Sequence, residues 1–286
     1  MNVMEKAFIG GAIAGLATAL AVFAVAPRKL RDERDKPFQN RYFAHRGLYS
    51  RDGSVPENSL AAFKAATEAG YGIELDVQLS KDDEVVVFHD DNLKRICGVD
   101  DLVSSYTLEE LKQLKLLDTE EAIPTFEEVL KLVDGRVPLI VEFKGGKKNR
   151  ILCEKGLRYL RDYNMSHGGE EKGSKLFCVE SFDARIVFWF RRNAPDLYRG
   201  QLANAMAEYD EKFPWLLRFC SAHCLFNFGA RPHFIAYGLL GKKPWTIKLA
   251  ELLGAKRVCW TSHDPEDKNG NDTVIFEFYI PPTSWE

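Results

Sequence analysis

The stretch GIELDVQ, residues 72–78, is a short run of apolar and β-branched residues interrupted by two carboxylates. Similar runs recur along the chain and alternate with longer stretches of helical periodicity, which is typical of βα units around a parallel sheet. The predicted strands are Tyr42–Ala44, Gly72–Gln78, Val85–Phe88, Pro138–Phe143, Lys175–Glu180, Gly200–Leu202, His233–Tyr237 and Arg257–Trp260. Eight strands are the number that a closed α/β barrel needs, so this fold is predicted.

Length and composition exclude several classes of protein. The chain has 286 residues, 45% of them hydrophobic, with 39 Lys plus Arg, 42 Asp plus Glu and six cysteines. A disordered chain would have fewer apolar residues and a larger net charge, and a disulfide-stapled miniprotein would be shorter and richer in cysteine. A net charge of -3 gives no general attraction to nucleic acid, so no nucleic-acid partner is expected.

The N-terminal segment is a candidate membrane anchor. Residues 7–26 carry no charged side chain, and a helix of twenty residues is long enough for the hydrocarbon core of about 30 Å. A secretory signal peptide is the competing interpretation, because Ala24-Val25-Ala26 offers small residues for cleavage. The domain prediction is therefore a transmembrane helix over 7–26, a charged linker over 27–39 and a barrel over 40–286.

The residues around this segment predict its orientation. One basic residue, Lys6, precedes it, and five follow it: Arg28, Lys29, Arg31, Arg34 and Lys36. By the positive-inside rule, a single-pass protein of the cell membrane with its barrel in the cytoplasm is predicted. Gly11 and Gly15 form a GxxxG pair, which leaves a homodimer through this helix open.

Charged residues within buried strands indicate a functional site. Glu74 and Asp76 are two residues apart in a strand, so their side chains lie on the same face. Two ionised carboxylates that close repel each other unless a hard divalent cation lies between them. Glu142 and Lys144 repeat the pattern at the end of another apolar strand. A solvated edge strand and a buried Glu–Lys ion pair are the alternative interpretations of these two segments.

Two histidines follow apolar strands at their carboxyl ends. His45 and Arg46 follow the first predicted strand, and His89 follows the third. The carboxyl ends of all barrel strands meet at one rim, where active sites are found. Arg and a cation suit a phosphate, while two imidazoles can donate and accept protons near neutral pH. The set therefore predicts phosphodiester chemistry.

These segments, in their order, resemble the glycerophosphodiester phosphodiesterase family. The resemblance rests on five separated motifs between residues 41 and 145: His45-Arg46-Gly47, Pro56-Glu57-Asn58-Ser59, Glu74-Leu75-Asp76-Val77, Val86-Val87-Phe88-His89-Asp90 and Glu142-Phe143-Lys144. It implies a TIM barrel that hydrolyses glycerophosphodiesters to sn-glycerol 3-phosphate and an alcohol, with a small insertion after the third strand, Asp91 to Thr119.

The resemblance also implies roles for individual residues. His45 and His89 would be the acid/base pair, and Glu74, Asp76 and Glu142 would hold one Ca²⁺ or Mg²⁺. Arg46, Lys144, Glu57 and Trp260 would contact the substrate.

Two other functions stay open at this point. One is a membrane-tethered phospholipase-type phosphodiesterase that acts on lysophospholipid or intact glycerophospholipid, and the other is a non-catalytic binding module.

Overall fold

The computed structural model describes residues 3–28, 33–169 and 174–286. Within these ranges, eight parallel strands close into a barrel, in which each strand pairs with the next and the last pairs with the first. In order around the barrel they are β1 (Arg41–Ala44), β2 (Gly72–Leu79), β4 (Leu139–Phe143), β5 (Phe177–Ser181), β6 (Arg199–Ala203), β7 (Phe234–Gly238), β8 (Lys256–Ser262) and β9 (Thr273–Phe276). The prediction of a TIM-like α/β barrel is confirmed.

The third predicted strand is not a barrel strand. The segment predicted as Val85–Phe88 forms β3 (Val85–Val87), which pairs antiparallel with β2. The connection over residues 80–84 is a tight turn, and a parallel crossover would need a dozen residues or more. Strand β2 extends past the barrel, and β3 returns beside it until the Phe88 N–H donates to the Asp76 carbonyl (3.1 Å).

The strand that completes the barrel is β9, which the sequence analysis missed. It lies between β8 and β1, in register from Arg41 opposite Thr273 to Ala44 opposite Phe276. Because all four of its residues are buried, its sequence TVIF lacks the alternation of a half-exposed strand.

Helices lie around the barrel and in its longer connections. They are α1 (Val3–Val25), α2 (Leu60–Ala69), α3 (Lys94–Cys97), α4 (Leu108–Leu111), α5 (Phe126–Val133), α6 (Asn149–Ser166), α7 (Ala184–Asn193), α8 (Trp215–Ala222), α9 (Asn227–Ala230) and α10 (Trp245–Leu252). Helix α5 begins at a capping box, in which Thr125 accepts from the Glu128 N–H and Glu128 accepts from the Thr125 N–H.

The core has two layers, one on each side of the barrel wall. The larger cluster lies between strands and helices and includes Leu75, Val141 and Phe190. The smaller one fills the barrel interior and includes Phe43 and Phe234. A packed interior confines any cavity to the ends of the barrel.

The segment predicted as an insertion, residues 91–119, forms α3, α4 and a short 3₁₀ helix, Val103–Ser105. It encloses its own apolar cluster, in which Leu93, Ile96 and Leu111 pack against Val86 of β3 and Phe88, which follows β3. This cluster fixes the hairpin of β2 and β3, and with it the position of His89, which follows Phe88.

The prediction of an N-terminal transmembrane helix is not supported. Residues 7–25 lie within helix α1 and Ala26 follows it, although several of their side chains are outside the described part of the chain. Among the described residues, no helix has the length and apolar character needed to cross a membrane.

The predicted linker, residues 27–39, includes positions 29–32, which lie outside the described residues. Its end is not a plain polar linker, because residues Lys36–Phe38 form a 3₁₀ helix and Phe38 is buried in the interior cluster of the barrel. The apolar ring of Phe38 thus packs under the barrel strands.

Candidate active site

A cavity of about 290 Å³ opens at the carboxyl ends of the barrel strands. Its lining is charged on one side and apolar on the other. The polar residues are His45, Arg46, Glu74, His89, Glu142, Glu180 and Asn204, and the apolar ones are Phe182, Leu202, Trp260 and Ile275. The structure therefore brings both predicted histidines and two of the predicted carboxylates to one cavity.

A row of carboxylates crosses three neighbouring strands. Asp76 of β2 is in register with Glu142 of β4, and Glu142 is in register with Glu180 of β5. Glu74 lies two residues before Asp76 on the same face. Ligand atoms of Glu74, Asp76 and Glu142 all lie within 4.8 Å of one another, and all three residues are buried.

The pKa values of the carboxylates shift in different directions. Burial, together with the charges of Asp76 and Glu142, raises the pKa of Glu74 well above its ordinary value. Burial alone would raise the pKa of Asp76, but the Lys144 ammonium, 2.7 Å away, together with His89 and Arg46, outweighs burial and holds this pKa well below its ordinary value. Burial raises the pKa of Glu142 despite its 2.9 Å contact with Lys144. The site thus has more buried carboxylates than its cations neutralise.

This set fits a hard divalent cation. Ca²⁺ and Mg²⁺ take oxygen ligands, and Glu74, Asp76 and Glu142 offer them at close spacing. Glu180 adds a buried oxygen, Oε2, that has no hydrogen-bond partner among the described residues. Because a buried polar atom without a partner is costly, the excess negative charge and this free oxygen favour a cation at the site. The donor set suits both ions.

The turn after β1 places His45 and Arg46. Arg46 has a left-handed backbone (φ 54°), and its N–H donates to Glu74 Oε2 at 3.1 Å. Gly47 is also left-handed, and a Cβ there would lie 2.8 Å from the Ala62 Cβ. The glycine of the His-Arg-Gly motif is required by this close approach to α2.

His45 is oriented by a residue that the sequence analysis did not select. Its Nδ1 lies 2.9 Å from Glu277 Oε2, just after β9, and its Nε2 lies 4.0 Å from Glu74 Oε2. Glu277 also accepts from Tyr49 and contacts His263 Nε2 at 2.8 Å. Burial lowers the pKa of His45, and the Arg46 charge adds to this effect, whereas Glu277 opposes it. The imidazole therefore favours its neutral form.

His89 is oriented from the hairpin rather than from a barrel strand. Its Nδ1 lies 2.6 Å from Asp90 Oδ1, and Asp90 in turn accepts from Arg95 of α3. The Gln78 side chain donates to the backbone carbonyls of Phe88 and Asp90. The hairpin and the segment 91–119 together hold this imidazole at the cavity.

The predicted substrate residues occupy different places. Arg46 lines the cavity and donates to Glu57 at 2.8 Å, while Glu57 also forms a bidentate pair with Arg95. Glu57 therefore braces two arginines rather than lining the cavity. Lys144 is held between Asp76 and Glu142.

Trp260 lies on the apolar side of the cavity. Its ring packs edge-on against Phe182, with the centroids 5.4 Å apart, and its Nε1 donates to the Ala236 carbonyl at 3.1 Å. The position of Trp260 is thus compatible both with the predicted contact to the substrate and with packing against Phe182.

Sequence reasoning missed Glu180 and Glu277 as site residues. Glu180 carried a usable signal, since it is a carboxylate at the end of an apolar strand. Glu277 carried none, because β9 was not predicted and its position opposite β1 follows only from closure of the barrel.

Comparison with known proteins gives the family. The sequence model of the "Glycerophosphoryl diester phosphodiesterase family" matches residues 45–275. The "Glycerophosphodiester phosphodiesterase" of Caldanaerobacter subterraneus subsp. tengcongensis is 40% identical over 168 residues, 56% of this chain and 65% of that protein. The human "Lysophospholipase D GDPD1" is 31% identical over 154 residues, 49% of this chain and 47% of that protein. The matched segments thus span less than two thirds of the length of these relatives.

Solved structures extend the likeness to the fold. A glycerophosphodiester phosphodiesterase from Parabacteroides distasonis shares 25% identity with a TM-score of 0.62, over 84% of this chain and 93% of that one. An Oleispira antarctica phosphodiesterase, solved with the product sn-glycerol-3-phosphate, shares 22% identity with a TM-score of 0.65, over the same shares of each chain. The family match includes both histidines and the carboxylate row. The chain belongs to the glycerophosphoryl diester phosphodiesterase family.

Proposed function

We propose that this chain hydrolyses glycerophosphodiesters to sn-glycerol 3-phosphate and an alcohol. The observation that carries the proposal is the placement of two imidazoles beside a buried carboxylate cluster in one cavity. Family membership and the activity printed for its relatives support the same reaction. The intact pair of histidines and the intact carboxylate set argue against a non-catalytic binding module.

The two histidines take different roles in this proposal. The carboxylate of Glu277 favours the proton of His45 on Nδ1, which leaves a lone pair on Nε2 to accept a proton from the attacking oxygen. His89 then protonates the leaving alcohol, and the contact of its Nδ1 with Asp90 orients the ring. The lowered pKa of His45 agrees with its role as the base.

The charged residues bind the phosphodiester. Arg46 lies at the cavity with its charge maintained by neighbouring carboxylates, which raise its pKa although burial opposes them. Its guanidinium suits a phosphate oxygen. Glu74, Asp76 and Glu142 would hold one Ca²⁺ or Mg²⁺, which when bound would polarise the phosphoryl group. Lys144 limits the repulsion between Asp76 and Glu142 and adds positive charge near the phosphate.

The decisive experiment is release of glycerol 3-phosphate from glycerophosphocholine by the full chain. It is run with Ca²⁺, with Mg²⁺ and with EDTA. We expect release that requires a divalent cation and falls by at least about a hundredfold in His89→Ala, as is usual for loss of an acid/base group. Glu74→Gln should also lose activity, while the matched control Glu68→Gln, an exposed residue of α2, should retain it.

Full activity in EDTA would contradict the role of the metal, and full activity of His89→Ala would contradict the acid/base assignment. No release from any glycerophosphodiester would refute the proposed reaction.

A lipid substrate is the second candidate. It is favoured by the apolar half of the cavity, formed by Phe182, Leu202, Trp260 and Ile275, and by the name of a relative, "Lysophospholipase D GDPD1". Competition between glycerophosphocholine and a lysophospholipid at equal concentration distinguishes the two. Exclusive turnover of the lipid would make this the main function.

The cellular location remains a prediction. It places the chain at the cell membrane with its barrel in the cytoplasm, and it leaves a homodimer open. Protease protection of a C-terminal tag in intact cells tests the orientation, and crosslinking of the full chain with and without Gly11→Leu tests the dimer.

A further inference from the structure

Two loops at the mouth of the barrel expose large apolar side chains. One loop follows β6 and leads into α8, and the other follows β7 and leads into α10. The exposed apolar residues of these loops and of the first turns of α8 and α10 are Phe213, Trp215, Leu216, Leu217, Leu239, Leu240 and Trp245, which together we call the mouth patch. Trp215, Leu240 and Trp245 are each at least 60% exposed. Exposed apolar groups of this size and density mark an interaction surface rather than ordinary surface scatter.

A series of contacts connects the two loops. The Trp215 ring stacks on Phe219 (5.4 Å), which stacks on His223 (4.2 Å), and His223 Nδ1 contacts Thr246 Oγ1 at 3.0 Å. Thr246 is the neighbour of Trp245 in the chain. A continuous set of contacts therefore links the tryptophan of one loop to that of the other.

The mouth patch adjoins the catalytic cavity. Asn204 lines the cavity, and its N–H donates to the Tyr209 hydroxyl at 3.2 Å. Tyr209 shortly precedes Phe213, the first residue of the mouth patch. In the other loop, the Leu239 N–H donates to the carbonyl of Trp260, a cavity residue, at 2.8 Å. Whatever binds the patch lies beside the entrance to the active site.

The chemistry of the patch fits a lipid surface. Tryptophan prefers the boundary between headgroups and acyl chains, where its ring is apolar and its N–H is hydrated. The loop after β7 and the first turn of α10 add Lys242, Lys243 and Lys248, and no acidic residue lies from 239 to 250. Lys243 pairs with Glu251 (3.1 Å), whereas Lys242 and Lys248 are exposed. Exposed lysines beside apolar groups are attracted to anionic lipid headgroups.

The first loop, which follows β6, is less basic than the second. This difference determines which loop would meet the lipid headgroups. Its acidic residues, Glu208, Asp210 and Glu211, all precede Phe213, and Lys212 lies between them and the exposed aromatic residues. The positive charge is thus concentrated on the loop after β7, so that loop would make the electrostatic contact with anionic headgroups. The loop after β6 would contribute mainly apolar insertion.

Helix α1 adds a second apolar surface on this flank. It packs against α9 and α10, and Phe23 stacks on Phe228 at 6.2 Å. Further along, Ile13, Leu16 and Leu20 are exposed. An apolar helix whose side chains face solvent is consistent with a lipid neighbour.

We propose that the mouth patch docks on an anionic phospholipid surface, with the entrance of the barrel facing the lipids. Docking of this kind gives the active site access to diesters at or near the headgroup layer. It concerns binding and not the reaction, so it can fail or succeed independently of the proposed hydrolysis.

The first test measures binding of the full chain to vesicles of phosphatidylcholine and phosphatidylserine by cosedimentation. The double variant Leu216→Ser/Leu240→Ser should weaken binding about tenfold or more, since two inserted leucine side chains are lost. Met165→Ser is the matched control. Met165 is also exposed, but it lies near the C-terminal end of α6. The nearby His167 contacts Asp134, which precedes the amino end of β4, so Met165 lies away from the mouth patch. Equal binding by the double variant and the wild type would overturn the proposal.

The second test locates the contact and separates it from binding through α1. Lipids brominated on their acyl chains should quench the fluorescence of the vesicle-bound wild type, and Trp215→Phe/Trp245→Phe should lose most of that quenching. If the bound wild type and this variant are quenched equally, the patch does not touch the lipid. If the patch variants instead abolish a concentration-dependent dimer, the surface belongs to a second copy and the proposal is wrong.

Discussion

Glu277 should act on catalysis through the orientation of His45. The 2.9 Å contact with Nδ1 fixes which nitrogen faces the cavity, and it joins a carboxylate to an imidazole in a mostly buried setting. Hydrogen bonds to charged groups contribute about 1.5–3 kcal/mol. If this energy is lost from the transition state, kcat of Glu277→Ala falls about 10- to 150-fold.

The assay is steady-state release of glycerol 3-phosphate at saturating divalent cation, with the melting temperature measured on the same samples. Because Glu277 touches His45 and not the substrate cavity, the loss should fall on kcat, with KM nearly unchanged. Glu277→Gln keeps the size and an acceptor oxygen, so its loss should be smaller. Glu266→Ala, an exposed carboxylate of the same C-terminal region, is the matched control and should be unaffected. A kcat within threefold of wild type in Glu277→Ala would refute this reasoning.

Three further predictions concern stability. Ca²⁺ or Mg²⁺ at a concentration about a hundred times its Kd should raise the free energy of unfolding by about 2.7 kcal/mol. If the ion raises the melting temperature of the wild type and of Glu74→Gln equally, it binds elsewhere. Burial lowers the pKa of His233 to about 2. The unfolded chain therefore takes up a proton below about pH 6.5 that the native chain does not bind, and native stability falls as the pH falls. In chemical denaturation, His233→Gln should reduce the stability difference between pH 7 and pH 5 by about 2 kcal/mol, and an unchanged difference would contradict this. A Cβ on Gly200 would lie 2.0 Å from the Phe234 ring, so Gly200→Ala should destabilise by about 1–3 kcal/mol, while Gly146→Ala, whose Cβ meets nothing within 4 Å, should melt like wild type.

Much of the site was predictable because its residues break the pattern of buried strands. Glu74, Asp76 and Glu142 are charged where packing would favour apolar residues, and the two-residue period of a strand places the first two on one face. His45 was predictable from its position after an apolar strand. Each of these signals is local in sequence, so no knowledge of the barrel's closure was needed.

The parts that were not predictable depend on contacts between distant segments. Val85–Val87 has the apolar, β-branched composition of a barrel strand, and only the short turn before it excludes a parallel crossover. The strand Thr273–Phe276 is short and lacks alternation because both of its faces are buried. The burial of Phe38 in the barrel interior likewise depends on tertiary packing, since the sequence around it is polar and charged.

The closing strand β9 has a consequence for synthesis of the protein. Its partner β1 is separated from it by more than two hundred residues, and Glu277 follows it directly. A nascent chain that ends before residue 273 would leave the edges of β1 and β8 unpaired, and it would also lack the carboxylate that orients His45. Such edges are templates for aggregation, so truncated chains should be both inactive and prone to aggregate. The orientation of His45 and protection from misassembly thus both depend on completion of β9.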